Sequence, residues 1–294
     1  MSTASRSIAR AYDMPAALAV TCVRATWRAV LAALVLASRA SVLLVLARVV
    51  LADDPPITPP TAALMTLAMV LLPAALAALL ARGFAATVTV EGDRVVVTRT
   101  DVRLEIPASA IVAVVPWRVP VPGPGAALML RSGRFGWGFA LDRPRELATF
   151  LTTRAGVALD ADTDDPAFAY ADARGAAGRL DWQRWLLKFP VLGLAPTAVL
   201  FNAHQHIAYG GTWGEWYLLG AGAYAADFAV HWLTVTIYLA LWAGCWRIAA
   251  EIVAWLAARL APATAAGVRR ALEIGCRVLY YGGVPLLLAL RFAS

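Results

Sequence analysis

Three histidines, His204, His206 and His231, are the residues of this 294-residue chain best suited to do chemistry. Imidazole is the commonest metal ligand and changes charge near neutral pH. Asn202, Tyr209, Glu215 and Asp227 lie near them in sequence. A site made of His206 and His231 with Asp227 or Glu215 would suit a transition metal. Two facing histidines, drawn from His204, His206 and His231, would suit haem b or a proton relay to a quinone. In the plainer reading no cofactor is bound, and these polar groups hydrogen-bond an adjoining loop and neighbouring helices. Spacing restricts the cofactor readings, because residues two apart on a regular helix point about 200° from each other. His204 and His206 therefore cannot both face one site. No His-x-x-x-His or Glu-x-x-His pair occurs.

The elements that must hold these residues are read from composition. Hydrophobic residues make up 61% of the chain and charged residues only 15%, whereas a soluble domain has about 25% charged. Apolar runs near twenty residues long make the bilayer part of the solvent. The net charge of +7 is carried almost entirely by arginine, with Lys188 the only lysine. In such a chain the basic balance reads as a cytoplasmic-loop preference rather than a nucleic-acid footprint, and no basic patch with interleaved stacking aromatics occurs. Cys22, Cys245 and Cys276 have no metal-ligand spacing and read as buried thiols.

Residues 1–28 are expected to be an uncleaved cytoplasmic start: Arg24 and Arg28 interrupt the apolar run that begins at Pro15, and no cleavage site follows. A transmembrane hairpin then occupies residues 29–82. Its first span, Ala29 to Ala52, ends at Asp53-Asp54-Pro55-Pro56, and its second runs from about Thr61 to Leu80. Arginines flank both outer ends of the pair, which puts the acidic loop outside. Residues 182–294 hold three further spans: one from Lys188 to Tyr209, one from Phe228 to Trp246, prolonged to Leu260, and one from Ala271 to Leu290, kinked at Gly282-Gly283-Pro285. Between the first two of these, residues 209–227 read as a segment lying in the outer interface. Five spans leave the amino end inside and the carboxyl end outside. Arg39 falls near the middle of the first span, where an unpaired charge is costly. It reads as half of a structural ion pair with Asp227, Glu215 or Glu273, the alternative being lipid or ion passage. Ala29, Ala33, Ala37 and Ser41 form a ridge of small residues for close packing against a helix of this chain or of another subunit.

From residue 83 to 158 the hydrophobic period changes from helical to two. Strands are expected at Thr87–Val90, Arg94–Arg99, Val102–Ile106, Ile111–Val115, Ala126–Leu130 and Phe135–Leu141, with turns at Glu91-Gly92-Asp93 and Arg131-Ser132-Gly133. Asp142 is placed to cap a closing amphipathic helix from Pro144 to about Thr153. An acidic linker, residues 159–181, holds Asp160, Asp162, Asp164, Asp165 and Asp172 but lacks the glycine and bidentate Glu of an EF-hand loop.

The β segment resembles the bacterial pleckstrin-homology-like domains of membrane proteins. The likeness rests on Val90-x-x-Asp93-Arg94-Val95, on Ile106-Pro107-x-Ser109-x-Ile111, on the Gly133 turn, and on Leu141-Asp142-x-Pro144-x-Glu146-Leu147. It covers about a quarter of the chain and implies a cytoplasmic, non-catalytic module that contacts partner proteins or lipid headgroups. Arg94, Arg99 and Arg103 are the headgroup candidates. No Gly-x-Ser-x-Gly elbow, Cys/His pair at one depth or phosphate-cradling glycine loop is present. The expected fold is a polytopic α-helical membrane protein of about five spans with an inserted PH-like domain of six or seven strands and a closing helix. The expected role is that of a non-enzymatic accessory, scaffold or regulatory protein of a bacterial inner-membrane assembly, in contact with the bilayer and with other subunits or copies of itself. A redox or metal-binding protein built on the histidines is the alternative.

Overall fold

The computed structural model describes residues 16–51, 59–100, 102–157, 165–177, 182–286 and 289. Arg6, Arg10, the Asp53-Asp54-Pro55-Pro56 loop, Asp160, Asp162, Asp164 and the far end of the expected fifth span lie outside the described residues. The chain divides into two compact units. One is drawn from Met1–Leu36, Ala74–Ala177 and Ile252–Leu272, the other from Ala37–Pro73, Gly178–Glu251 and Glu273–Ser294.

The first unit is built on a seven-stranded antiparallel sheet in the order β4-β3-β2-β1-β7-β6-β5. Its strands are β1 (Ala17–Arg24), β2 (Ala85–Glu91), β3 (Arg94–Arg99), β4 (Val102–Pro107), β5 (Ile111–Pro116), β6 (Gly125–Leu130) and β7 (Gly133–Ala140). Six coincide closely with the period-two runs. The seventh, β1, corrects the expectation of a plain cytoplasmic lead-in, and it occupies the centre of the sheet. Thr21 pairs with Ala85 of β2 on one side and with Ala140 of β7 on the other. β-Branched Val20, Thr21 and Val23 suit that central place.

Gly92 has φ 61°, the left-handed value that the first position of a two-residue hairpin turn demands. Pro107 and Ile111, at the two edges of the sheet, are joined through the 3-10 turn Ala108–Ala110. Four residue steps reach at most about 14 Å, whereas seven flat strands would set the edges roughly 29 Å apart. The sheet therefore curls round its own core. That core is lined by Val20 and Cys22 of β1, Val88 of β2, Val95 and Val97 of β3, Leu128 of β6 and Phe139 of β7. Helix α4 (Pro144–Ala155) closes it with Leu147, Phe150 and Leu151, all fully buried. The cap position of α4 falls on Arg143 and not on Asp142, and Pro144 occupies the first helical turn, where its missing N–H costs nothing.

The expected acidic linker contains a helix, α5 (Pro166–Ala176). Asp165 caps it by accepting from the Ala167 N–H at 2.7 Å, and Asp172 accepts from Arg145 Nε at 2.8 Å. These two carboxylates are thus spent on structure.

Helix α1 (Ala25–Leu51) follows β1 without a break. The return helix begins as α2 (Pro59–Met65), passes through a π turn at Thr66–Leu71, and ends as α3 (Leu72–Gly83), directly before β2. The next membrane-length stretch is α6 (Trp182–Leu186), a π turn at Leu187–Val191 containing Pro190, and α7 (Leu192–Tyr209). Pro190 has no N–H for the helical ladder, which accounts for the local widening.

After the short α8 (Gly214–Leu219) comes α9 (Ala221–Leu260), 40 residues and about 60 Å long at 1.5 Å per residue. Only Gly220, with φ 88°, separates α8 from α9. The stretch 209–227, expected to lie in the interface, is divided between α8 and the start of α9, because the run Ala221–Ala226 is rich in alanine, the strongest helix former, and carries Asp227 onto α9. Helix α10 (Ala265–Tyr281) follows, with a turn at Gly282 before the next helical residues.

Four described stretches are long and apolar enough to cross a membrane: Ala25–Val49, Pro60–Gly83, Gln183–Tyr209 and Ala221–Leu260. The stretch expected as a fifth span corresponds to α10 and the residues after it, and is not among the four. Within the first unit, Tyr170 and Ala173 of α5 pack against Ala254 and Ala258 of α9 and Ala265 of α10. In the second unit, Val42 and Val45 of α1 pack on Leu241 of α9, and Phe189 packs with Leu239 and Tyr280.

Candidate functional site

One group of polar residues in the second unit lies where α7, α8 and α9 meet. α7 brings His204 to the side of α9 that carries Asp227 and His231, one helical turn apart. His204 Nε2 lies 3.4 Å from Asp227 Oδ2, and His231 Nδ1 lies 3.3 Å from Asp227 Oδ1. One donor atom from each of the three residues falls within 4.8 Å of the others. His231 Nδ1 also stands 2.9 Å from the Asp227 backbone oxygen. A carbonyl only accepts, so Nδ1 carries the proton in that contact and the Nε2 of a neutral ring keeps its lone pair. Asp227 Oδ2 is a buried atom with no hydrogen-bond partner. Phe201 packs its ring edge-on against His231, 5.3 Å between centroids, and Tyr209 does the same to His204 at 6.1 Å.

His206 and Glu215 do not belong to this group, contrary to the ligand set expected above. His206 is exposed and its Nδ1 contacts the Asn202 backbone oxygen at 2.8 Å. The 200° between helix positions two apart turns it away once His204 faces α9. Glu215 is 4% exposed and is held by Gln205, itself fully buried: Gln205 Nε2 donates to Glu215 Oε2 at 2.6 Å, and the Glu215 N–H donates to Gln205 Oε1 at 3.3 Å. This pair stitches α8 to α7. Replacing Glu215 by Ala leaves a buried amide unsatisfied and is expected to cost about 1–3 kcal/mol, seen as a lowered thermal midpoint without loss of helical circular dichroism.

Haem is a poor fit to the histidines. Two axial bonds of about 2 Å plus two ring radii hold imidazole centroids about 6 Å apart across a porphyrin iron, and the His204 and His231 centroids are 4.9 Å apart at 41°. Elsewhere in the unit, Glu273 accepts from Arg247 Nη1 at 2.5 Å. Arg39 is half-buried.

A second polar feature lies in the first unit, where β1 and β2 run into their helices. Arg24 stacks on Trp137 at 4.7 Å, and Arg28 lies 3.9 Å over Trp117 while donating to the Val119 backbone oxygen at 3.2 Å. Arg99 lies 5.5 Å from both the Phe84 and Trp137 rings, and Trp27 packs on Phe84. Of the three arginines expected to face headgroups, only Arg99 is here. Arg94 and Arg103 sit on the sheet surface and neutralise carboxylates: Arg94 donates to Glu105 at 2.8 Å, and Arg103 to Glu105 at 3.0 Å and Glu91 at 2.7 Å. Hydrogen bonds from Arg103 and Arg94 hold the Glu105 carboxyl below the usual range. In β1, burial pushes the Cys22 thiol up to about 11 against the pull of Arg99, so it stays protonated and inert at neutral pH.

Sequence reasoning missed Arg24, Arg28, Trp117 and Trp137 as a group, because they meet only once β1 is recognised as the central strand. The signal for the histidine site was Asp227-x-x-x-His231, a spacing that stacks two ligand types on one helix face. The described residues thus combine four helices long and apolar enough to cross a membrane with a curled seven-stranded antiparallel sheet. The chain matches no family model, no curated protein and no solved structure.

Proposed function

We propose that this chain is a non-enzymatic accessory protein of a bacterial cytoplasmic-membrane assembly, whose pleckstrin-homology-like module is held at the inner membrane surface. The observation that carries the proposal is the insertion of two membrane-length helices between the adjacent strands β1 and β2. These strands are hydrogen-bonded at Thr21 and Ala85, so the helices that continue from Arg24 and precede Ala85 start and finish within one strand spacing of each other. Two spans so anchored form a hairpin with both ends on one side of the bilayer. The sheet then cannot leave that side. The arginine-rich flanks support a cytoplasmic place for it. Arg24, Arg28 and Arg99, backed by Trp27, Phe84, Trp117 and Trp137, form a collar at headgroup depth, where tryptophan rings are at home and each arginine contributes about 1 kcal/mol of attraction to anionic lipid.

Site-specific photocrosslinking in native membranes tests both halves of this reading. A probe at exposed Val119, beside the collar, is expected to yield lipid adducts. A probe at Glu91, at the other end of the β2–β3 pair, is expected to yield a discrete protein adduct. Aqueous quenching at Val119 together with no protein adduct at Glu91 overturns the proposal.

A further inference from the structure

The geometry points to a divalent-cation site built by His204, Asp227 and His231, holding a first-row metal of borderline softness such as Zn2+. Ligand bonds of about 2.0–2.1 Å at tetrahedral angles put donor atoms about 3.3–3.4 Å apart. His204 Nε2 and Asp227 Oδ2 stand 3.4 Å apart, and the three residues offer donor atoms mutually within 4.8 Å. Two imidazoles and one carboxylate, with no sulfur, suit zinc and its first-row neighbours rather than Cu(I) or an iron–sulfur cluster.

A second observation concerns the hydrogen bonding of the same carboxylate. Asp227 Oδ2 is buried and accepts no hydrogen bond, which is an expensive state for a carboxylate oxygen. A bound cation removes that cost directly. The outer contacts are those of a metal site as well. His231 Nδ1 stands 2.9 Å from the Asp227 backbone oxygen, a backbone contact of the kind that fixes the ring of a metal-binding histidine. Phe201 forms an apolar wall against the His231 ring, and such a wall limits the water that competes for the ion. Three protein ligands leave the fourth position open, the arrangement of sites that hold a water or a ligand oxygen. The bound ion ties α7 to α9. This inference stands apart from the role proposed for the sheet, and either can fail without the other.

The competing state has no metal: a protonated His204 pairs with Asp227 as a plain ion pair. The test uses the full-length protein, purified in detergent, stripped with chelator and titrated with Zn2+ against a competing indicator. One equivalent per chain is expected to bind. His204→Gln, Asp227→Asn and His231→Gln are each expected to weaken binding by roughly a hundredfold or more, since loss of an outer-shell partner alone costs up to that much. His206→Gln is the control and should leave affinity unchanged. Titration of the unmutated protein with Co2+ guards against misfolded variants, because it reports geometry directly: strong visible bands mark a four-coordinate site with nitrogen ligands, and weak ones a six-coordinate surface ion. Absence of stoichiometric zinc binding, an equal effect from His206→Gln, or a six-coordinate cobalt spectrum overturns the inference.

Discussion

A polypeptide of residues 84–177 alone is expected to be unfolded, while the same residues preceded by residues 16–24 through a loop of about four residues fold into a soluble module. β1 is the fourth of seven strands. Without it, β2, β3 and β4 lose their hydrogen-bonded connection to β7, β6 and β5, and two new edges open in the middle of the sheet. Val20 and Cys22 leave the sheet core at the same time; they are 6% and 2% exposed. At about 1.5–3 kcal/mol for each large apolar side chain removed from burial, their loss alone approaches the 5–15 kcal/mol that holds an ordinary domain together. Restoring the strand needs no membrane, because the Cys22 N–H already donates to the Phe84 oxygen at 2.9 Å and a short loop can replace the two helices between them. Dispersed amide proton resonances, present for the joined chain and absent for residues 84–177, are the expected readout. A folded 84–177 fragment would mean that β1 is dispensable.

The same strand shows where sequence reading reached its limit. β2 to β7 were legible because each is a short apolar or alternating run bounded by turns and next in sequence to a strand it pairs with, as in Thr87-Val88-Thr89-Val90 against Val95-Val96-Val97. β1 has the β-branched residues of a strand, but its neighbours in the sheet lie some sixty residues and more away, and the apolar helix that follows it absorbs its hydrophobic signal. A one-dimensional pattern does not encode pairing across an inserted hairpin. α5 was hidden differently. Asp165-Pro166 is a cap followed by a first-turn proline, a helix start that the surrounding carboxylates made look like a solvated linker. For the candidate site, helical geometry established that only one of His204 and His206 could face a common ligand. Which one does so depends on the rotation of α7 against α9, set by packing such as Gly193 beside Thr236 and Leu239, and no local pattern records it.

Gly125→Ala is expected to destabilise the sheet unit by about 3 kcal/mol or more, the upper end for overpacking a well-filled core. A methyl group there would sit 2.6 Å from the Phe139 backbone oxygen and 2.7 Å from two carbons of the Trp117 ring. The backbone oxygen cannot yield, because Phe139 is paired to Ala126 on one side and Cys22 on the other. At Gly138 the close atoms belong only to the Trp117 ring, the nearest at 2.8 Å, so Gly138→Ala should cost less, about 1–3 kcal/mol. Both glycines exist to admit the same indole, which is 3% exposed and bears the Arg28 guanidinium 3.9 Å above it. Trp117→Leu therefore separates the two contributions. Combined with Gly138→Ala, it should recover most of the loss that Gly138→Ala adds, a strongly non-additive pair, as expected for residues in direct contact. Combined with Gly125→Ala, it should recover only the part owed to the ring, leaving the clash with the Phe139 oxygen. Thermal unfolding of the full-length protein in detergent, followed by tryptophan fluorescence, measures all five variants. If the double variant Trp117→Leu/Gly138→Ala is as unstable as additivity requires, the indole is not what those glycines make room for, and Arg28 has lost the platform that positions it in the collar.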